Sequence, residues 1–202
     1  DNTAGDKTMA AFHDGGAVEL YYDNSKKFNT KSDGVTINGN IGFVASGNGI
    51  DFGATSDASG ATSEHFDDYE EGTFTPVLGG GSPTFSTNNT KGYYIKVGRM
   101  VHISIQIAIV VTGAGSGNFT ITGLPYASGN HMGGHGQALA VGPMYEWDYP
   151  DNTLFIGPRV DDNTSQIKIW SNRDDAADDV LTWPFGSSGT HYGSISGTYV
   201  VA

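Results

Sequence analysis

The most regular stretch of the chain is MVHISIQIAIVV, residues 100–111. Val101, Ile103, Ile105, Ile107, Ile109 and Val111 recur at every second position. Strict period two over that length predicts a strand with one fully buried face, as in the core of a β-sandwich. Shorter alternating runs predict further strands at 92–97, 118–122, 138–141, 154–156, 166–170 and 194–201. No run of ten or more residues carries the helical period. Residues 69–202 therefore read as an all-β, jelly-roll-like antiparallel β-sandwich, a knob punctuated by Gly, Asn and Asp turns.

Residues 1–57 alternate in the same way but hold far fewer large apolar groups. Val18, Leu20 and Tyr22 share one face; Asp23-Asn24 reads as a turn; residues 27–30 read as a short strand. Asp33-Gly34 is a strong hairpin signal, and Val35, Ile37 and Ile41 make the next apolar face before Asn38-Gly39 and Gly47-Asn48-Gly49 turn the chain again. From 21 to 40 the sizeable apolar groups are Tyr21, Tyr22, Phe28, Val35 and Ile37 alone. One copy of such a segment buries too little to offset its chain entropy. Sharing the core among identical chains solves this, so the segment is expected to be part of a short intertwined trimeric β-shaft. The other reading is a disordered linker, against which the regular alternation and turns argue. Small polar residues follow, with a linker or collar expected at 58–68.

Composition supports many short strands and tight turns: Gly occurs 30 times in 202 residues and only 16% of residues are charged. The net charge of −12 disfavours nucleic acid and anionic membrane surfaces as partners. There is no cysteine, so no disulfide framework and no thiol chemistry. The opening DNTAGDKTMA lacks the basic and apolar regions of a signal peptide, and with no initial Met the chain reads as a fragment or a processed product. No apolar run is long enough for a membrane helix. Acids are unevenly spread: thirteen of 22 fall in 1–71, none in 72–145, and nine in 146–202. The acids of Asp67-Asp68-Tyr69-Glu70-Glu71 admit a catalytic pair or a metal site, but nothing nearby completes either, and a solvated turn into the next domain is expected.

Two sequence features resemble a known family. Residues 17–28, AVELYYDNSKKF, followed by GVTINGN at 34–40, resemble a recurring shaft element of tail fibres from tailed bacteriophages. DDYEEGTFTP at 67–76 is similar to the start of the C-terminal knob in those proteins, with GYYIKVGRMV at 92–101 and SGTY at 196–199 following in the expected order. The resemblance implies a virion protein, the distal end of a homotrimeric fibre. Its N-terminal end would join other tail or fibre proteins, and its knob would contact a host-surface glycan or outer-membrane protein. It carries no binding residue onto this chain.

Candidate binding residues come from the residues themselves. Tyr145, Trp147 and Tyr149 alternate with Glu146 and Asp148, which on a strand end places three aromatics on one face. Aromatic rings stack on sugar faces and carboxylates such as Asp148 accept from sugar hydroxyls. The competing reading packs these rings between sheets or against a neighbouring copy. Trp183 and Tyr192 flank an acidic loop, Asp174, Asp175, Asp178 and Asp179, and line a groove on this reading. The loop's spacing does not match an EF-hand, so it is taken as solvated. His131 and His135 sit in a Gly-rich loop that excludes the helix a zinc pair would need, and a place at the knob tip or on the trimer axis is expected. No metal, cofactor or catalytic residue is assigned. Glu146/Asp148 or Asp161/Asp162 could supply the pair a glycan-degrading tailspike-type enzyme would need, but adjacent acids on a turn are usually solvated. That enzyme, a monomeric carbohydrate-binding module and a capsid decoration protein are the rival readings to a non-catalytic adhesin.

Overall fold

The structure is a computed structural model; it describes residues 7–45, 47–53, 65–66, 68–131, 133–149, 151–174, 177 and 179–202. Every regular element among them is a strand, and the sheets are antiparallel. The chain divides into two compact units, Asp1–Asn48 and Gly49–Ala202. The linker expected at 58–68 lies largely outside the described residues; on either side of residues 54–64, β5 (Ile50–Asp51) pairs with β6 (His65–Phe66).

The first unit is one four-stranded sheet of β1 (Ala10–Phe12), β2 (Val18–Tyr22), β3 (Ser25–Lys31) and β4 (Gly34–Ile37), in sequence order. Asp23 and Asn24 both take positive φ, 50° and 60°, as a tight two-residue hairpin turn requires. The next hairpin turns at Ser32-Asp33, since Lys31 faces Gly34. Register sets Ala10, Leu20, Phe28 and Ile37 in one row and Phe12 beside Val18. These side chains share a face. The other face is polar: Glu19 accepts from Lys26 Nζ at 2.6 Å and from the Tyr21 hydroxyl at 2.5 Å. Phe12, Leu20, Tyr22 and Val35 are exposed, and among the described residues of this unit no second layer covers the apolar row.

The second unit is a sandwich. Its first sheet holds β7 (Tyr69–Phe74), β9 (Thr84–Asn88), β10 (Lys91–Val97), β11 (Met100–Gly113), β14 (Ala140–Val141) and β18 (Gly189–Val200). Its order is β14-β18-β11-β10-β7, with β9 also on β11. The second sheet holds β8 (Val77–Gly79), β12 (Thr120–Thr122), β13 (Gln137–Ala138), β15 (Thr153–Val160), β16 (Gln166–Arg173) and β17 (Asp179–Val180). Its order is β13-β15-β16-β12-β8, with β17 on β16. The alternate residues of β11 are 0–1% exposed and join one core with Ile121, Val160, Ile167 and Ile169 of the second sheet. Each such side chain contributes about 1.5–3 kcal/mol by leaving water.

Two details depart from the sequence reading. The run 138–141 is not one strand. Ala138 pairs with Arg159 in one sheet and Ala140 with Ser196 in the other. Between them buried Leu139 turns a corner, its N–H donating to Pro158 O. The acids at 68–71 are exposed, as expected, but Glu70 and Glu71 belong to β7 rather than to a turn. Asp68 pairs with the buried Lys96, and Glu70 accepts from the hydroxyls of Tyr94 and Tyr126. The Tyr126 hydroxyl foremost, then that of Tyr94, holds Glu70 below the usual carboxyl range. The cluster clamps the start of β7 onto the sandwich; Asp67 lies outside the described residues.

Candidate functional site

The sandwich has two ends. At one, β7 starts: Tyr69 lies opposite Val97, next to Met100 opposite Val200. His131 is at this end, its Nε2 at 3.1 Å from Val201 O and 3.3 Å from Arg99. His135 is exposed on the same loop. The other end lies beyond Ala108, eight residues along β11 and so roughly 27 Å away. Here segments 114–119, 142–149 and 181–188 meet.

Aromatic packing holds those loops. Phe119, Trp147, Trp183 and Phe185 meet edge to face, with centroids 5.6 Å apart for Phe119–Trp147, 4.8 Å for Trp147–Phe185 and 5.0 Å for Trp183–Phe185. Such pairs add about 0.5–1.5 kcal/mol beyond burial. Gly115 is required there. A Cβ on it would stand 2.1 Å from Gly80 O and 2.6 Å from the Trp183 ring. His191 is buried beside Phe185, with Nδ1 at 2.5 Å from Glu146 O.

The predicted strip of three aromatics does not form on one face. Trp147 is 8% exposed and its indole N–H donates to Tyr192 O at 2.9 Å. The reason is Glu146, which takes φ 57° and breaks the strand alternation between Tyr145 and Trp147. Tyr145 instead stays out and joins Tyr192. The two exchange backbone bonds of 2.9 and 3.3 Å, and their rings stand 6.1 Å apart at 46°. They are 56% and 51% exposed. Trp147 is thus the anchor and the tyrosine pair the exposed surface it supports.

The remaining candidates scatter. Tyr149 is half-buried against Trp147, 6.5 Å away, and burial pushes its hydroxyl pKa up. It borders a shallow depression of about 460 Å³ together with Asp151, Asn152, Leu154 and Phe155. Asp148 is exposed, and its N–H donates to Pro184 O at 2.7 Å. Trp183 is half-buried in the aromatic cluster rather than lining a groove with Tyr192. Asp174 is exposed; Asp175, Asp178 and the Pro150 of the expected turn lie outside the described residues. Asp161 pairs with Arg159 at 3.0 Å and Lys168 at 2.6 Å. Among the described residues no cluster of three metal-ligating side chains occurs.

Sequence reasoning missed Leu154 and Phe155, which are both exposed at the depression. A bulge between Thr153 and Phe155 leaves Leu154 unpaired, so two consecutive apolar residues face outward. The signal was an apolar pair, Leu154-Phe155, that no period-two pattern accommodates.

Comparison with known proteins adds little. No family model matches the chain, and no curated protein matches it. Among solved structures it is similar to the Dettilon tailspike protein, with TM-score 0.44 and 19% identity over 65% of this chain. The match spans 24% of the tailspike's length and is too loose to transfer any property.

Proposed function

We propose that this chain is the distal end of a phage tail fibre, a virion protein that adheres to a host-surface glycan without catalysis. The observation that carries the reading is the Tyr145–Tyr192 pair. Two large rings stand in solvent on a rigid, aromatic-anchored end, away from where β7 begins. Rings held that way lose little entropy on stacking against a sugar. The first unit supports the trimer. Its row of Leu20, Phe28 and Ile37 needs a cover, and two further copies supply one while hiding the sheet edges. Its N-terminal end would join other tail or fibre proteins. Modest affinity per knob suffices, since three knobs act together.

Light scattering on the purified chain tests the assembly: about three times 21.2 kDa is expected. Host-cell binding then tests the site: Tyr145→Ala with Tyr192→Ala should abolish it while melting stays unchanged. A monomer that still binds would shift the reading to a monomeric carbohydrate-binding module, which the self-sufficient core of Gly49–Ala202 favours next. Release of reducing ends from host polysaccharide would establish a glycan-degrading enzyme instead.

A further inference from the structure

A second depression, of about 310 Å³, lies between the ends of β7 and the start of β10. Its size is at the low end for small-ligand sites, about 300–1,000 Å³. At its floor Gly92 leaves room that the Phe74 ring fills. Gly92 sits opposite Phe74, and a Cβ there would come 2.4 Å from the Phe74 ring. On the outer side Thr73 and Thr75 offer hydroxyls, Tyr93 an exposed ring and Lys91 an exposed ammonium, while Thr90 borders the depression from the core-facing side of β10. Thr90 is 6% exposed and its hydroxyl has no hydrogen-bond partner.

The charge of this place is unlike the rest of the molecule. The chain carries −12, yet no carboxylate lines the depression, and residues 72–145 contain no acid at all while holding Lys91, Lys96 and Arg99. An anionic ligand is repelled by most of the surface and admitted here. The tyrosine pair lies on the same face of this sheet as Lys91. Lys91 is in register with Gln106, and Tyr192 with Ala108. Two strand spacings and two residues separate Lys91 from Tyr192, a distance of about 12 Å. The outward side chains between them are those of Gln106, Ala108 and Ser194.

We propose that the depression is a subsite for a carboxylate-bearing sugar, extending the glycan site at Tyr145–Tyr192 along the outer face of the first sheet. This rests on the glycan-binding reading above and names the class of sugar it takes. The Lys91 ammonium pairs with the sugar carboxylate, Tyr93 stacks on the ring face, and the Thr73 and Thr75 hydroxyls meet ring hydroxyls.

The test titrates the full chain with two probes, tri-galacturonate and the neutral galactotriose, following backbone amide shifts. The expected result is tighter binding of tri-galacturonate, with shifts at Lys91, Gly92 and Tyr93. Lys91→Gln, at an exposed position, should keep the fold and lower tri-galacturonate affinity by about tenfold, as loss of one charge-assisted bond does. Galactotriose affinity should not change. Tri-galacturonate binding no tighter than galactotriose, or a Lys91→Gln protein that binds as the parent does, overturns the subsite. Tyr145→Ala separates the two readings. If it alone weakens binding, the end-site reading stands and the subsite falls. If Lys91→Gln alone weakens binding, the subsite stands and the end-site reading falls.

Discussion

The first unit and the sandwich use the same local grammar to different ends. Both are built of alternating strands with turns at Asn, Asp and Gly, in sequence order in the first unit and with crossovers in the sandwich. In the sandwich, the apolar side of β11 is closed by Ile121, Ile167 and Ile169 from a sheet of the same chain. In the first unit the apolar row of Leu20, Phe28 and Ile37 faces outward with no second layer in the unit. Alternation therefore specifies that a face is to be covered, and says nothing about what covers it. Three strands or more with an apolar face fold stably only when that face is packed.

The comparison breaks first at the core. Trp147→Ala should lower the stability of the sandwich by about 3–5 kcal/mol, read by urea denaturation. Leu20→Ala should leave that same transition unchanged and act on association instead. If Leu20→Ala costs the sandwich as much as Trp147→Ala does, the first unit is covered from within and the contrast is wrong.

Acid sharpens it next. Glu19 is held at a pKa of about 2, by the bond from Lys26 first and from Tyr21 second. Its folded pKa lies below the ordinary 4.5. Its contribution to the first unit is thus complete above pH 4.5 and lost as the pH falls toward about 2. Glu70 is shifted in the same direction, so its contribution to the sandwich is also lost on acidification below the ordinary range. Glu19→Gln should flatten the acid limb of the first unit alone, and Glu70→Gln that of the sandwich alone, both followed by circular dichroism across pH. A single shared acid transition, moved by either variant, would join the two units energetically.

The smallest effect is at the tyrosine pair. Tyr145→Ala should change stability by no more than about 0.5 kcal/mol, because the ring is exposed and its backbone bridge survives. A larger loss, seen in the melting curve, would make Tyr145 part of the packing rather than of the exposed surface.

Much of the sandwich was legible from the chain. β11 was read to within two residues of its end, since six branched residues in strict alternation admit no other element. β10, β16 and β18 followed from shorter runs, though each extends further than its apolar residues do, because neighbouring strands supply the ladder. The short strands β8, β9 and β17 left no pattern, being two to five residues long. The site was legible in its residues and not in their roles. Tyr145, Trp147 and Tyr149 stand together in the sequence, but in the fold they split into an exposed ring, a buried anchor and a half-buried ring.

What the sequence by itself determined is where the chain extends, where it turns and which positions want cover, because alternation and turn chemistry are properties of neighbouring residues. Only the tertiary structure decided which aromatics reach solvent. A left-handed Glu146 turns Trp147 inward onto Phe119 and Phe185, residues distant in sequence, and leaves Tyr145 to meet Tyr192. It likewise decided that Lys91, Thr90 and Phe74 share one depression, since register between β7 and β10 brings them together and no spacing along the chain encodes it.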